Sequence, residues 1–189
     1  MKIIDLVLTD LDKPKKINKR TFYLSDWINI NNVDKKRLIS KPFKDYRDKI
    51  KSYKYLDRFR IVVEKKFTNY LHTYHNKNYS KILLKNLSSL WVGQYLQFVY
   101  IRWLITDQAI KQKDKINISD INIDKGINNY LDALDFMDLA FENDAFNYFH
   151  IKKIFNFRKK KFMKKIIFKK KKLYIKKTFV PMDTSGKLL

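Results

Sequence analysis

From Ile82 to Ile110 the chain runs without a proline and with a single glycine, Gly93. Its apolar residues (Leu83, Leu84, Leu87, Leu90, Trp91, Tyr95, Phe98, Val99, Ile101, Trp103 and Leu104) fall on more than one side of the helix this permits. A helix that is apolar nearly all round is usually buried at the centre of its domain. The segment is therefore predicted to be the core helix, capped at its start by Ser80, with Trp91–Trp103 as its dry centre. The rest of the chain agrees with long helices. Only three glycines and three prolines occur in 189 residues, too few for a many-turned β sandwich.

A second periodic segment precedes it. Tyr46, Ile50, Tyr53, Leu56, Phe59, Val63, Phe67, Tyr70 and Leu71 recur at spacings of three and four. They predict the buried face of an amphipathic helix that begins after Pro42 and ends near Tyr74–Asn78. A third helical stretch is expected from about Gly126 to Phe149, divided near Asn143-Asp144. Short β-branched runs at Ile3–Leu8 and Thr21–Leu24 predict two strands that open an α/β sheet. Lys111–Lys125, with Ile116, Ile118, Ile121 and Ile123, is read as a loop or a weak edge strand. A last strand is expected at 173–180, stopped by Pro181.

Several chemistries are excluded. There is no cysteine, hence no disulfide, zinc ribbon or cysteine nucleophile. No glycine-rich phosphate loop, nucleophile elbow or zinc-protease helix motif is present. His72 and His75 share a helical face, but without a third ligand they read as surface or capping residues, and no metal is expected. Carboxylate pairs such as Asp132 with Asp135, or Asp138 with Glu142, read as a solvated helix face. Arg102 is the exception, because a charge in an apolar stretch must find a partner. A salt bridge is the first reading and a bidentate anion contact the second. Arg47 and Arg58 are the other anion-binding candidates.

Charge is distributed unevenly. The formal net charge is +23, and from Ile151 onward fifteen Lys and Arg stand against the single Asp183. Lys159, Lys160, Lys161, Lys164, Lys165, Lys169, Lys170, Lys171 and Lys172 are the candidates for contact with a membrane or polyanion. A solvated linker is the first reading of this tail, an anionic membrane surface the second and nucleic acid the third. No apolar run approaches the roughly 18–20 residues needed to cross a bilayer. The start lacks the features of a secretory signal. A cytoplasmic protein is expected, peripheral at the inner membrane if the tail docks there.

Several segments together resemble a transferase family of bacterial O-antigen and surface-polysaccharide gene clusters. Phe22-Tyr23-Leu24-Ser25-Asp26-Trp27 is similar to its opening aromatic element. Asp45-Tyr46-Arg47-Asp48-Lys49, Tyr55-Leu56 and Tyr70-Leu71-His72-Thr73-Tyr74-His75 resemble the helix that follows. Asn78-Tyr79-Ser80, Trp91 through Arg102-Trp103, and Asn143-Asp144-Ala145-Phe146-Asn147 resemble later motifs. The family's Gly-Pro before the core Trp is Ser89-Leu90 here, and its Asp before Arg-Trp is Ile101. The likeness covers roughly Thr21 to Asn147.

The resemblance implies a two-domain, glycosyltransferase-like protein of several hundred residues that uses a nucleotide-sugar donor, bound largely in a later domain. This chain would then be its N-terminal portion, with an incomplete active site, no cofactor of its own and the missing C-terminal part as partner. The expected fold is mainly α with two or three short strands of a larger α/β sheet. Residues 1–150 would form the helical domain and 151–189 a basic linker or tail. A basic nucleic-acid-binding module and a peripheral membrane protein are the alternatives.

Overall fold

The computed structural model describes residues 2–25, 28, 37–39, 41–112, 114–123, 133–159 and 166–175. Its strands are β1 (Ile3–Val7), β2 (Thr21–Tyr23), β3 (Lys115–Ile123) and β4 (Ile166–Ile175). They form one sheet in the order β2-β1-β3-β4, with every pairing parallel. The helices are α1 (Tyr46–Tyr74), α2 (Lys81–Lys111), α3 (Ala133–Glu142) and α4 (Asp144–Lys159). Mainly helical composition was expected, and so were the first two strands. The sheet itself is larger than the two or three strands foreseen.

Local chemistry sets the helix bounds. The Asp45 carboxylate accepts from the Asp48 amide at 2.7 Å and starts α1. Ser80 Oγ accepts from the Leu83 amide at 3.2 Å and starts α2, as expected. Between them the chain turns through Asn76 and Lys77, both with positive φ. Asn143 separates α3 from α4, the predicted break, and its Oδ1 accepts from the Phe146 amide.

Two predicted strands are corrected. Lys115–Ile123 is no edge strand: it lies between β1 and β4, in the middle of the sheet. Its pairing with β4 shifts between Asp120 and Asn122. Ile116 and Ile118 face the core before that irregularity, and Ile121 and Ile123 face it afterwards. An irregularity of this kind changes which alternate residues point inward, so one strand buries both odd and even positions. The last strand begins at Ile166 rather than 173, inside the basic stretch. Lys169 and Lys170 pair there with Ser119 and Asp120 through backbone, their side chains exposed.

One face of the sheet carries the main core. Ile4, Leu6, Leu8, Ile116, Ile118 and Ile166 pack against Phe98, Ile105, Ala109 and Ile110 of α2, Phe136 of α3, and Phe146, Ile151 and Phe155 of α4. Val7, Tyr23 and Ile28 form a smaller cluster on the other face, where Asp5 accepts from Asn117 Nδ2 at 3.1 Å.

The α1–α2 hairpin departs from its prediction. Tyr46, Phe59 and Tyr70, assigned to a buried face, are exposed, whereas Glu64 and Thr68 are buried. The reason lies on α2, where Ser89 and Gly93 present small or polar atoms to α1. Ser89 Oγ donates to Glu64 at 2.8 Å, Arg60 lies 3.5 Å from the same carboxylate, and Gly93 leaves room for the Arg60 side chain. The hairpin thus joins through polar contacts as well as aromatic ones, Phe67 with Trp91 and Tyr55 with Tyr100. The first third of α2 is not buried either: Ile82, Leu83, Leu87 and Leu90 face outward. The dry centre lies further along, from Phe98 to Ile110.

Candidate functional site at the carboxyl end of the sheet

In open parallel sheets, ligands bind beyond the carboxyl ends of the strands where the strand order reverses. Here that point lies between β1, which leads to β2 on one side, and β3, which leads to β4 on the other. The chain leaves β1 through Leu8-Thr9-Asp10 and turns back at once. Asp12, 3% exposed, accepts from the Leu8 and Thr9 amides at 2.8–3.1 Å, so a buried carboxylate closes the turn.

The first turn of α4 meets this turn. Asp144 accepts a backbone hydrogen bond from Asp10, and its pKa is raised by burial and then by the Asp10 charge. Asp144 is thus disposed to hold a proton above the usual carboxylate range, near an Asp10 whose own carboxylate lies 3.6 Å from Lys13 Nζ. A carboxyl pair with separated proton affinities is suited to acid–base work.

Further along α4, side chains fasten it to its neighbours. Tyr148, one turn on, donates to the Ser119 carbonyl and accepts from the Ile121 amide at 3.1 Å. Burial pushes its phenol well above the ordinary value, so it stays protonated. After another turn, Lys152 pairs with Asp120 and donates to the Ile121 carbonyl at 2.9 Å. Both contacts fix α4 against the end of β3.

Arg102 ties α4 to the other helices. Its Nε donates to Asn147 Oδ1 at 3.0 Å, and Nη2 reaches the same oxygen and the Ala140 carbonyl. Nη1 donates to the Phe98 carbonyl, and the guanidinium lies 3.5 Å from the Phe98 ring centre. Asn147 Nδ2 in turn donates to the carbonyls of Ala140 and Asn143. Burial pulls the Arg102 pKa down to about 9, which still leaves it cationic at neutral pH. These contacts make a hydrogen-bonded clamp across α2, α3 and α4. Arg102-Trp103 and Asn143–Asn147 were separate motifs in the sequence. The fold makes them one cluster.

The other sequence candidates lie elsewhere. Arg47 and Arg58 are exposed on α1, three turns apart on one side, with Lys51, Lys54 and Lys65 beside them. His72 Nδ1 lies 2.9 Å from the Tyr79 carbonyl and His75 caps α1, both near the hairpin turn. Asp138 and Glu142 are exposed, and Asp132 lies outside the described residues. So do Asp26, Trp27, Lys160, Lys161, Lys164 and Lys165. Lys159, Lys171 and Lys172 contribute backbone to α4 and β4. Lys169 Nζ lies 3.9 Å from Asp5 across the open face of the sheet.

A cavity of about 560 Å³ opens at the amino ends of the strands, beside Lys2, Lys19 and Arg20. Parallel sheets keep their chemistry at the opposite end, so the carboxyl end of the strands is preferred. Among the described residues no group of three His, Cys, Asp or Glu is placed to hold a metal. No described helix is long and apolar enough to cross a membrane. Asp10 and Asp144 were missed in the sequence. The available signal was a pair of aspartates directly after the first buried strand.

The sequence pattern of the LIC12162 family transferase matches residues 4–184, nearly the whole chain. The chain belongs to the LIC12162 family of transferases. The match extends past Asn147 and takes in α4, β4 and the basic stretch around them, so those segments belong to the LIC12162 family pattern as well. No curated protein and no solved structure matches the chain.

Proposed function

We propose that this LIC12162 family member takes part in transferring a sugar from a nucleotide-activated donor to a hydroxyl of a surface polysaccharide, with Asp10 and Asp144 as its acid–base pair. What supports this reading is the place of Asp10 and the first turn of α4, with Asp144, at the strand-order reversal of a parallel sheet, in a chain of a transferase family. In the step proposed, one carboxylate takes the proton of the acceptor hydroxyl as its oxygen bonds to the sugar carbon. The donor's diphosphate leaves with the bonding pair. Arg102 acts as a positioning residue, holding Asn147 and through it the first turn of α4. General base catalysis contributes about 10²–10⁴-fold.

Release of nucleoside diphosphate from a panel of nucleotide sugars, with isolated polysaccharide as acceptor, tests the reading. Asp144→Asn and Asp10→Asn are each expected to lower turnover about 100-fold or more while leaving the circular dichroism spectrum unchanged. Undiminished turnover in both variants, or no release by the unaltered chain from any donor, overturns it.

The row Arg47, Lys51, Lys54, Arg58 and Lys65 supports a second reading, contact with a polyanion or an anionic membrane. Binding to mixed nucleic acid or anionic vesicles that weakens steeply with salt is its expected sign.

A further inference from the structure

The turn between α1 and α2 stands apart from the body. The main core takes in α2 only from Tyr95 onward, and from there the helix runs about 21 Å back to its start at Lys81. Over that stretch it packs on α1, through Ser89 with Glu64 and Trp91 with Phe67. The end of this hairpin is braced. His72 Nδ1 lies 2.9 Å from the Tyr79 carbonyl, and rings meet around the turn, Tyr70 with Tyr74, Tyr74 with His75 and His75 with Tyr79. Yet the same end shows apolar surface to water: Tyr74 is 68% exposed, Tyr79 50%, Ile82 75% and Leu83 45%. Its charge is of one sign. From Lys65 to Thr106 there is no Asp or Glu, and Lys77, Lys81 and Lys85 stand exposed among those rings and aliphatic side chains.

We propose that the hairpin end docks on an anionic lipid bilayer, its lysines at the phosphates and Tyr74, Tyr79, Ile82 and Leu83 in the headgroup layer. Charge selects this occupant. An end that is wholly cationic is drawn to a surface of the opposite sign, and each Lys near that surface adds to the attraction. Chemistry narrows it further. Nucleic acid also attracts cations, but its phosphates offer nothing to the aliphatic Ile82 and Leu83. Tyr suits a membrane–water boundary, with its ring on the apolar side and its hydroxyl toward water. Lysine stems lie along apolar surface while the ammonium reaches the headgroups. Geometry favours a fluid layer over a protein face. Ile82 and Leu83 are about 100° apart around α2, Tyr74 belongs to α1 and Tyr79 to the turn. A flat partner covers one of these directions, whereas headgroups close around an end that dips among them. The contact is peripheral, since no described helix is long and apolar enough to cross a membrane. It is independent of the acid–base reading and uses residues outside the basic row of α1.

Flotation of the full chain with vesicles of phosphatidylcholine, alone or mixed with phosphatidylglycerol, tests the docking. Binding to the mixed vesicles is expected to exceed binding to the neutral ones about 100-fold, and to fall as salt rises. Ile82→Glu is expected to weaken it about 10-fold or more, with the circular dichroism spectrum unchanged because the site is exposed. The sequence has no cysteine, so Ile82→Cys can carry a polarity-sensitive dye. Ile61→Cys, about 20 Å from the end of α1, serves as its reference. The mixed vesicles are expected to shift the dye at 82 to the blue and to leave the dye at 61 unchanged. No binding, equal binding to both kinds of vesicle, or a bound chain whose dye at 82 stays in water overturns the proposal. A chain that passes over the vesicles and binds duplex DNA overturns it in favour of nucleic acid. A blue shift that grows with protein concentration in the absence of vesicles overturns it in favour of a second copy.

Discussion

The two ends of α2 obey opposite rules. At its carboxyl half, Phe98, Ile105, Ala109 and Ile110 are buried against three other elements, Arg102 donates to Asn147 and two carbonyls, and Asp107 pairs with Lys111 and Arg158. At its amino half Ser89 donates to Glu64 of the neighbouring helix, while Leu83, Leu87 and Leu90 face outward. Both halves are similarly apolar in composition. What separates them is the number of elements the fold brings alongside. Hydrophobicity tells which residues need cover, and topology decides which of them receive it within one chain.

The largest effect that tests this contrast is expected at Phe98. Phe98→Ala removes a ring that packs on Phe136, Phe146 and His150, and should cost about 4 kcal/mol in denaturant unfolding. Arg102→Ala comes next, at about 3 kcal/mol, because Asn147 Oδ1 loses its donor in a buried setting. A loss under 1 kcal/mol would show that the clamp does not hold the three helices together.

A third test uses pH. His150 is 9% exposed, and burial, then Lys153 and Arg102, lower its pKa from 6.5 to about 4. The fold therefore favours the neutral ring. Its contribution is complete above about pH 6.5, declines as the unfolded chain takes up a proton that the folded chain refuses, and is gone near pH 4, a span of about 3 kcal/mol. Stability measured from pH 7 to 4 should fall less steeply in His150→Phe. Equal slopes in the two proteins would show that His150 is not excluded from water. Asp144 works in the opposite sense: its raised pKa favours the protonated form in the fold, so its contribution is lost as pH rises. The smallest effect is expected at the other end of the helix, where Ile82→Ala, at a site 75% exposed, should change stability by no more than about 0.5 kcal/mol.

Much of this architecture was readable because its causes are local. Ser80 and Asn143 bound their helices through hydrogen bonds to amides three residues away, and such spacing is visible in a sequence. The central place of β3 was hidden by its own irregularity. Ile116 and Ile118 keep one alternation, Ile121 and Ile123 the other, and a broken alternation resembles a weak strand. β4 was hidden by its lysines, since a strand is held through backbone that carries no sequence mark. The site was harder still. Arg102 announced its need for a partner, but Asn147 stands 45 residues away, and nothing local joins Asp10 to Asp144.

Hydrogen exchange along α2 tests the contrast most directly. Amides from Phe98 to Ile110 are expected to exchange at least about 100-fold more slowly than those from Ile82 to Leu90, with the change falling near Gln94–Gln97. Uniform protection from one end of the helix to the other would contradict the division drawn here.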